Sequence, residues 1–459
     1  LNATLWWLNW FDGRSESALA QWRGLCQGRD VNALMTAGQL INWGMPTLAT
    51  EMLNALDCQR TLSLYLQASL LPKAERGELV AKAIDVFPQF VRFPNTLEEV
   101  AALESIEECW FARHLLACFY YNKRSYNKAI TLWQSCVEMS PEFADGWRGL
   151  AIHAWNKQHD YELAARYLDN AYQLAPQDAR LLFERDLLDK LSGATPEKRL
   201  ARLENNLEIA LKRDDMTAEL LNLWHLTGQA DKAADILATR KFHPWEGGEG
   251  KVTSQFILNQ LLRAWQHLDA RQPQQASELL HAALHYPENL SEGRLPGQTD
   301  NDIWFWQAIC ANAQGDETEA MRCLRLAATG DRTINIHSYY NDQPVDYLFW
   351  QGMALRLLGE QQTAQQLFSE MKQWAQEMAK TSIEADFFAV SQPDLLSLYG
   401  DLQQQHKEKC LMVAMLASAG LGEVAQYESA RAELTAINPA WPKAALFTTV
   451  MPFIFNYVH

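Results

Sequence analysis

One spacing constrains this chain more than any other feature: a small residue recurs 12 positions after another small residue. The pairs are Ala37/Ala49, Ala117/Ala129, Ala264/Ala276, Ala308/Ala320 and Gly352/Ala364. Two antiparallel helices joined by a tight turn approach closely only where small side chains face each other, so a fixed offset marks helix hairpins. A second periodicity is independent of the first. Gly precedes a small residue by five positions at Gly44/Ala49, Gly228/Ala233, Gly315/Ala320, Gly359/Ala364 and Gly420/Ala425. A glycine that ends the first helix of a hairpin in a left-handed conformation accounts for that residue type. The alanines placed on second helices are Ala129, Ala164, Ala233, Ala276, Ala320, Ala364 and Ala425, stepping by 35, 69, 43, 44, 44 and 61 residues. The longest step fits two units, one of them degenerate around Leu181 to Leu211. No segment sustains the period-2 alternation of a strand.

The best-preserved copies show the residue types. Tyr126-x2-Ala129-x3-Trp133-x2-Cys136-x4-Pro141 is matched in spacing by Tyr161-x2-Ala164-x3-Leu168-x2-Ala171-x4-Pro176, and Trp147-x2-Leu150-Ala151 lies between them. This resembles the tetratricopeptide repeat. The expected fold class is therefore all-α, a tetratricopeptide-like helix-turn-helix solenoid (right-handed superhelix) of roughly nine to eleven helix pairs. The expected organisation is irregular N-terminal helical repeats over 1–100 and tetratricopeptide repeats over 101–240. Longer repeats with inserted loops follow over 241–380, then a C-terminal repeat and capping tail over 381–459. The tail, with Pro439, Pro442 and Pro452 among apolar residues, is not expected to form one regular helix. It is read as a cover for the open face of the last repeat, with a homodimer contact as the alternative.

Charge and cysteine usage exclude whole classes of partner. With 40 Lys+Arg against 56 Asp+Glu the net charge is −16. Nucleic acid and an anionic membrane surface are therefore not expected partners. Eight cysteines in 459 residues, none in a CxxC pair, read as buried reduced thiols of a cytoplasmic protein. No apolar run reaches the ~18 residues that would span a bilayer. The first ten residues lack the features of a secretory signal. A start at Leu1 suggests the C-terminal portion of a longer polypeptide.

The long steps place extra residues in three polar connections, 241–252, 286–303 and 328–346. Each lies between the second helix of one pair and the first helix of the next. Equivalent connections of a stacked solenoid emerge on one edge, so the three are expected side by side. Candidate ligand-binding residues there are His243, Trp245, Glu246, Glu249, Lys251, Glu292, Arg294, Asp300 and Asp302, joined by His337, Tyr339 and Tyr340. Carboxylates and an indole suit a hydroxylated ligand such as a sugar, because they bond its hydroxyls and cover its apolar ring face. Two carboxylates at the right separation would hydrolyse a glycosidic bond. A purely structural reading stands beside this. Gly247, Gly248 and Gly250 permit tight turns, Asp300 or Asp302 caps the next helix, and Glu-Gly-basic pairs tie repeat to repeat. His281-x3-His285 has metal-compatible spacing but no third ligand, and no metal or cofactor is expected. Gly247 to Lys251 departs from a phosphate loop in its first glycine and in Val252.

FHPWEGGEGK at Phe242 to Lys251 and YPENLSEGRLPGQTDNDIWFW at Tyr286 to Trp306 resemble a bacterial family. In that family a tetratricopeptide region follows an N-terminal β-rich domain of unknown function, similar to sugar epimerases, and the genes often lie in carbohydrate-utilisation loci. The resemblance covers about 100 residues from Leu221 to Ala327 and implies a link to sugars without an assigned reaction. The leading expectation is a helical-repeat binding or scaffold module. The face lined by first helices would hold a protein partner, an upstream domain or a second copy of the chain. The alternative is a carbohydrate-binding or carbohydrate-active region at the three loops, its catalytic residues unassigned. An (α/α) toroid glycosidase fits an acidic, Trp-rich chain less well, since a toroid has no need of the Gly-x4-Ala series. Of the 17 tryptophans, Trp133, Trp147, Trp304 and Trp350 have repeat positions. Trp6, Trp7 and Trp10 form an N-terminal cluster, and Trp245 alone sits in a glycine-rich loop.

Overall fold

The structure, a computed structural model, describes residues 9–26, 30–55, 60–89, 91–245, 247–295, 297–334, 344–383 and 396–457. Trp6, Trp7, Cys58, Glu246, His337, Tyr339 and Tyr340 lie outside the described residues. Among those described there is no strand.

The chain divides into two units. The first runs to Ala175 and includes the short segment 396–398. Its helices are α1 (Ser15–Cys26), α2 (Asp30–Asn42), α3 (Pro46–Ala55), α4 (Thr61–Ser69), α5 (Gly77–Val86), α6 (Leu97–Glu104), α7 (Trp110–Asn122), α8 (Tyr126–Met139), α9 (Ala144–His153) and α10 (Tyr161–Leu174). The second unit begins at Pro176. It contains α11 (Ala179–Leu191), α12 (Pro196–Asn205), the short α13 (Leu207–Ala210), α14 (Asp214–Leu226), α15 (Ala230–Thr239), α16 (Lys251–Asp269), α17 (Pro273–Ala283), α18 (Asn301–Ala313), α19 (Glu317–Ala327), α20 (Asp346–Leu357), α21 (Gln361–Met378), α22 (Leu402–Leu421), α23 (Val424–Ile437) and α24 (Ala444–Tyr457).

One pair of hydrogen bonds closes hairpin after hairpin. At Gly44 the amide donates to Ile41 O and that of Met45 to Leu40 O. The same pattern recurs at Gly228, Gly315, Gly359 and Gly422, satisfying carbonyls that the helix end leaves open. The residue with positive φ is not always glycine. Arg124, His159 and Arg271 adopt it too, and each lies five positions before Ala129, Ala164 and Ala276. Gly13 does the same for the buried Ala18. The offset thus belongs to the turn, and glycine is only its cheapest occupant.

The final hairpin corrects the sequence reading. Gly420 is inside α22 and buried, where an added Cβ would collide with the Phe368 ring. Gly422 makes the turn, Tyr427 takes the buried position five residues on, and Ala425 is exposed. The other small-residue pairs are buried as expected, and Gly352 is likewise pressed against Phe368. In the first unit the Trp133 indole lies on Gly149, which explains a large and a glycine residue facing each other across α8 and α9. Trp10 packs on the N-terminal core. Cys109, Cys136, Cys310, Cys323 and Cys410 are buried free thiols, and Cys118 is half-buried.

The tail is not one regular helix, since 438–443 are irregular and α24 begins at Ala444. Pro439 and Pro442 precede a helix, and Pro452 lies within it. Pro452 and Thr448 are exposed, so the carbonyl that Pro452 cannot bond is open to water. Nor does α24 cover only the last pair. It packs across the first helices α14, α16, α18 and α20, as well as against Tyr427 of α23. Leu446, Phe447, Val450, Met451 and Ile454 are buried there, each burial stabilising by roughly 1.5–3 kcal/mol. Phe447 stacks on Trp350 at 5.8 Å between centroids, and Phe453 meets Trp265 at 5.2 Å and Trp306 at 5.8 Å.

Candidate functional site

The connections 241–252 and 286–303 meet in the second unit because the backbone stitches them together. The buried Phe242 donates its N–H to Asn289 O at 2.8 Å. The Asn289 side-chain amide donates to Leu237 O at 2.9 Å and to Arg240 O at 2.7 Å. At the far end the Gly250 N–H donates to Glu292 Oε2 at 2.7 Å. Between them opens a cleft of about 640 Å³. Its walls are Pro244, Glu249, Gly250, Thr253, Ser254 and Ile257 on one side, and Tyr286, Ser291, Glu292, Gly293, Leu295, Gly297, Gln298 and Thr299 on the other. Pro344 near the end of the third connection and Tyr347 in the first turn of α20 complete it, together with Lys443 from the tail.

The charged residues of the cleft are largely tied down. Arg294 bonds Asp300 and Leu284 O and lies over the Tyr286 ring. The Tyr286 hydroxyl accepts from Gln298 at 2.8 Å. Lys443 donates to Asp302 Oδ2 at 2.9 Å and to Asp346 Oδ2 at 2.5 Å, with its ammonium 5.0 Å from the Tyr347 ring centre. Burial works against the Lys443 charge, but the carboxylates of Asp302 and Asp346 outweigh it and hold its pKa above the ordinary lysine value. Burial raises the Asp300 carboxyl, an effect that Arg294 only partly offsets. Burial also pushes the Tyr347 hydroxyl well up, reinforced by Asp302 and Asp346.

The sequence candidates therefore separate. Glu249 and Glu292 line the cleft, Glu249 exposed and Glu292 holding Gly250. Arg294, Asp300 and Asp302 form ion pairs around it. His243 belongs to another cluster, with its backbone N–H on Asp214 Oδ2 at 2.9 Å beside Arg240. Trp245 covers Gly248, where any Cβ would collide with the indole. Lys251 opens α16, exposed and outside the cleft wall. Gly247 and Gly250 both have φ of +76°, so their residue type is set by the turn. His281 and His285 are exposed side by side, and no group of three metal-ligating residues occurs among the described residues.

Sequence reasoning missed Lys443, Asp346, Tyr347 and Tyr286. The Lys443 partners lie 141 and 97 residues away, a separation no local pattern reveals. A backbone signal exists only in the structure, for Lys443 has φ of +58°.

In the first unit the segment 396–398 lies on α9 and its continuation over Ala154–Gln158. The Arg148 guanidinium of α9 donates to Leu396 O at 2.8 Å, and the Asn156 amide donates to Ser397 O at 2.7 Å. Leu398 is buried. Each unit thus holds a non-repeat segment of the chain against first-helix residues, one helix in the first unit and four in the second.

No family model matches the chain. Three solved structures are similar to it. The tetratricopeptide domain of P58(IPK) matches at 16% identity over 79% of this chain and 98% of its own, with a TM-score of 0.25. Naa15/Naa10 bound to HypK-THB matches at 14% identity over 86% of this chain and 55% of its own, TM-score 0.34. The Cut9-Hcn1 hetero-tetramer of APC/C matches at 11% identity over 98% of this chain and 88% of its own, TM-score 0.25. The hairpin turns and buried small residues carry the assignment instead. The fold is a tetratricopeptide-like stack of helix pairs. No described helix is long and apolar enough to cross a membrane.

Proposed function

We propose that the protein is a helical-repeat scaffold whose first-helix surfaces receive peptide segments. One observation carries this reading: in the second unit that surface binds a helix, α24, through an aromatic row of Trp265, Trp306 and Trp350. A groove that seats one apolar helix with an anchoring lysine has the chemistry to seat another. The segment 396–398, held through two backbone carbonyls by Arg148 and Asn156, supports the same reading for the first unit. The test is exchange. A protease site inserted between Ile437 and Asn438 allows the tail to be cut from the folded chain. The cut tail is expected to co-elute with the body and to be displaced by a labelled synthetic 438–459 peptide. A Lys443→Met peptide should displace it less effectively. Failure of any added peptide to bind the nicked protein would refute the reading.

A second reading is favoured by the cleft itself, since a roughly 640 Å³ hollow with hydroxyl, carboxylate and ring groups suits a small hydroxylated ligand. This is the carbohydrate alternative. A sugar panel screened by thermal shift, with Glu249→Ala and Glu292→Ala beside the parent chain, tests it. Equal shifts for all three proteins, or none, count against it.

A further inference from the structure

The cleft has a sign. Glu249 and Glu292 stand in its walls, and Asp302 and Asp346 hold the Lys443 at its floor. Asp300, beside the wall residue Thr299, has one carboxylate oxygen on Arg294 and the other, buried, without a hydrogen bond. Five carboxylates thus face two cations, Arg294 and Lys443, both already committed to ion pairs. A ligand carrying phosphate or carboxylate would meet an excess of negative charge with no free cation among the described residues of the wall.

Two further features point to a ligand of definite kind. Tyr347 is only 5% exposed yet lines the cleft, and its hydroxyl makes no hydrogen bond among the described residues. A hydroxyl without a protein partner in the lining of the cleft is open to a ligand there. The chain also supplies its own precedent: the Lys443 ammonium is held here between two carboxylates and over an aromatic ring. Glu292 spends one oxygen on Gly250 and keeps the other, while Glu249 has no partner among the described residues.

We propose that the cleft binds a hydroxylated primary amine of the aminosugar class, its ammonium against Glu249 and Glu292 and one of its oxygens accepting from the Tyr347 hydroxyl. This rests on the small-ligand reading above and adds the charge of the ligand to it. Thr253, Ser254 and Gln298 supply hydroxyl and amide groups for the ring substituents. An ammonium between two carboxylates has both partners ionised, whereas a neutral sugar hydroxyl meets the carboxylate with only the acceptor ionised.

Calorimetric titration of the full chain with D-glucosamine, D-glucose and D-glucose 6-phosphate tests the proposal. Glucosamine should bind about tenfold more tightly than glucose, and the phosphate should give no heat of binding. Glu249→Gln, at an exposed residue, should weaken glucosamine more than glucose and so bring the two affinities together. Glu292→Gln should do the same while its amide oxygen still accepts from Gly250. Tyr347→Phe should weaken both sugars alike. Glucosamine no tighter than glucose, or glucose 6-phosphate binding as well as either, overturns the proposal and leaves the small-ligand reading standing. Absence of binding by both glucosamine and glucose overturns the two together.

Discussion

Replacement of Phe447 by alanine probes the docking of α24 at its best-packed point. The side chain is 0% exposed, stacked on Trp350 at 5.8 Å and Trp441 at 6.1 Å, and edge-on to Phe349 at 5.9 Å. Its loss removes the transfer free energy of a phenyl ring and leaves a cavity walled by three aromatic side chains. Phe349 and Trp350 are held by α20 and cannot collapse fully into that space, so the cost should fall in the usual range for buried Phe→Ala, about 3–5 kcal/mol. Thr448→Ala, one residue away on the exposed face, should change stability by under about 0.5 kcal/mol. Equilibrium urea unfolding followed by tryptophan emission reports both, since Trp350 and Trp441 flank the site. A loss below about 1 kcal/mol for Phe447→Ala would mean that the helix does not occupy this groove, and the reasoning would fail.

Three other expectations follow from the same packing. His225 is buried, its Nδ1 2.9 Å from Gln255 Oε1 and its Nε2 3.1 Å from the Asn259 amide, and burial lowers its pKa from 6.5 to about 4. The unfolded imidazole takes up a proton below pH 6.5 while the folded one resists until about 4. Stability present above 6.5 is therefore lost as the pH falls through that window, by about 3 kcal/mol, and His225→Gln should flatten the slope in pH-dependent melts. Gly420→Ala and Gly352→Ala each drive a methyl into Phe368, which should cost about 1–3 kcal/mol and cost less in a Phe368→Leu background. Arg148→Ala removes the charged donor to Leu396 O, so chymotrypsin should cut faster at Leu398 and Tyr399, as timed digestion with mass analysis would show.

Much of the fold was legible because a repeat writes the same physics many times. Ala37, Ala49, Ala233 and Ala276 are buried where the small-residue offset places them. The turns were only half visible, since a Gly search cannot find Arg124, His159 or Arg271 in the same left-handed conformation. Gly420 shows the opposite error: a glycine selected for close packing imitates a turn signal two residues early. In the cleft the two loop motifs were legible and their convergence followed from repeat stacking. Asp302 was a different matter. Its partner Lys443 arrives from the tail, and nothing in the local sequence shows that this aspartate is buried against a distant cation. In the tail Pro439 and Pro442 do lie in an irregular stretch, whereas Pro452 sits inside α24, because a proline on the solvent face of a helix leaves only a hydrated carbonyl open.

The scaffold reading depends on α24 being held by the first-helix surface, and amide hydrogen exchange of the full chain measures that directly. Residues 445–456 other than Pro452 should exchange as slowly as the centres of α16 and α18, through unfolding of the whole second unit. The labelled 438–459 peptide should speed their exchange in the nicked protein. Exchange of the tail at the rate of an unstructured chain, while α16 and α18 stay protected, would contradict the account.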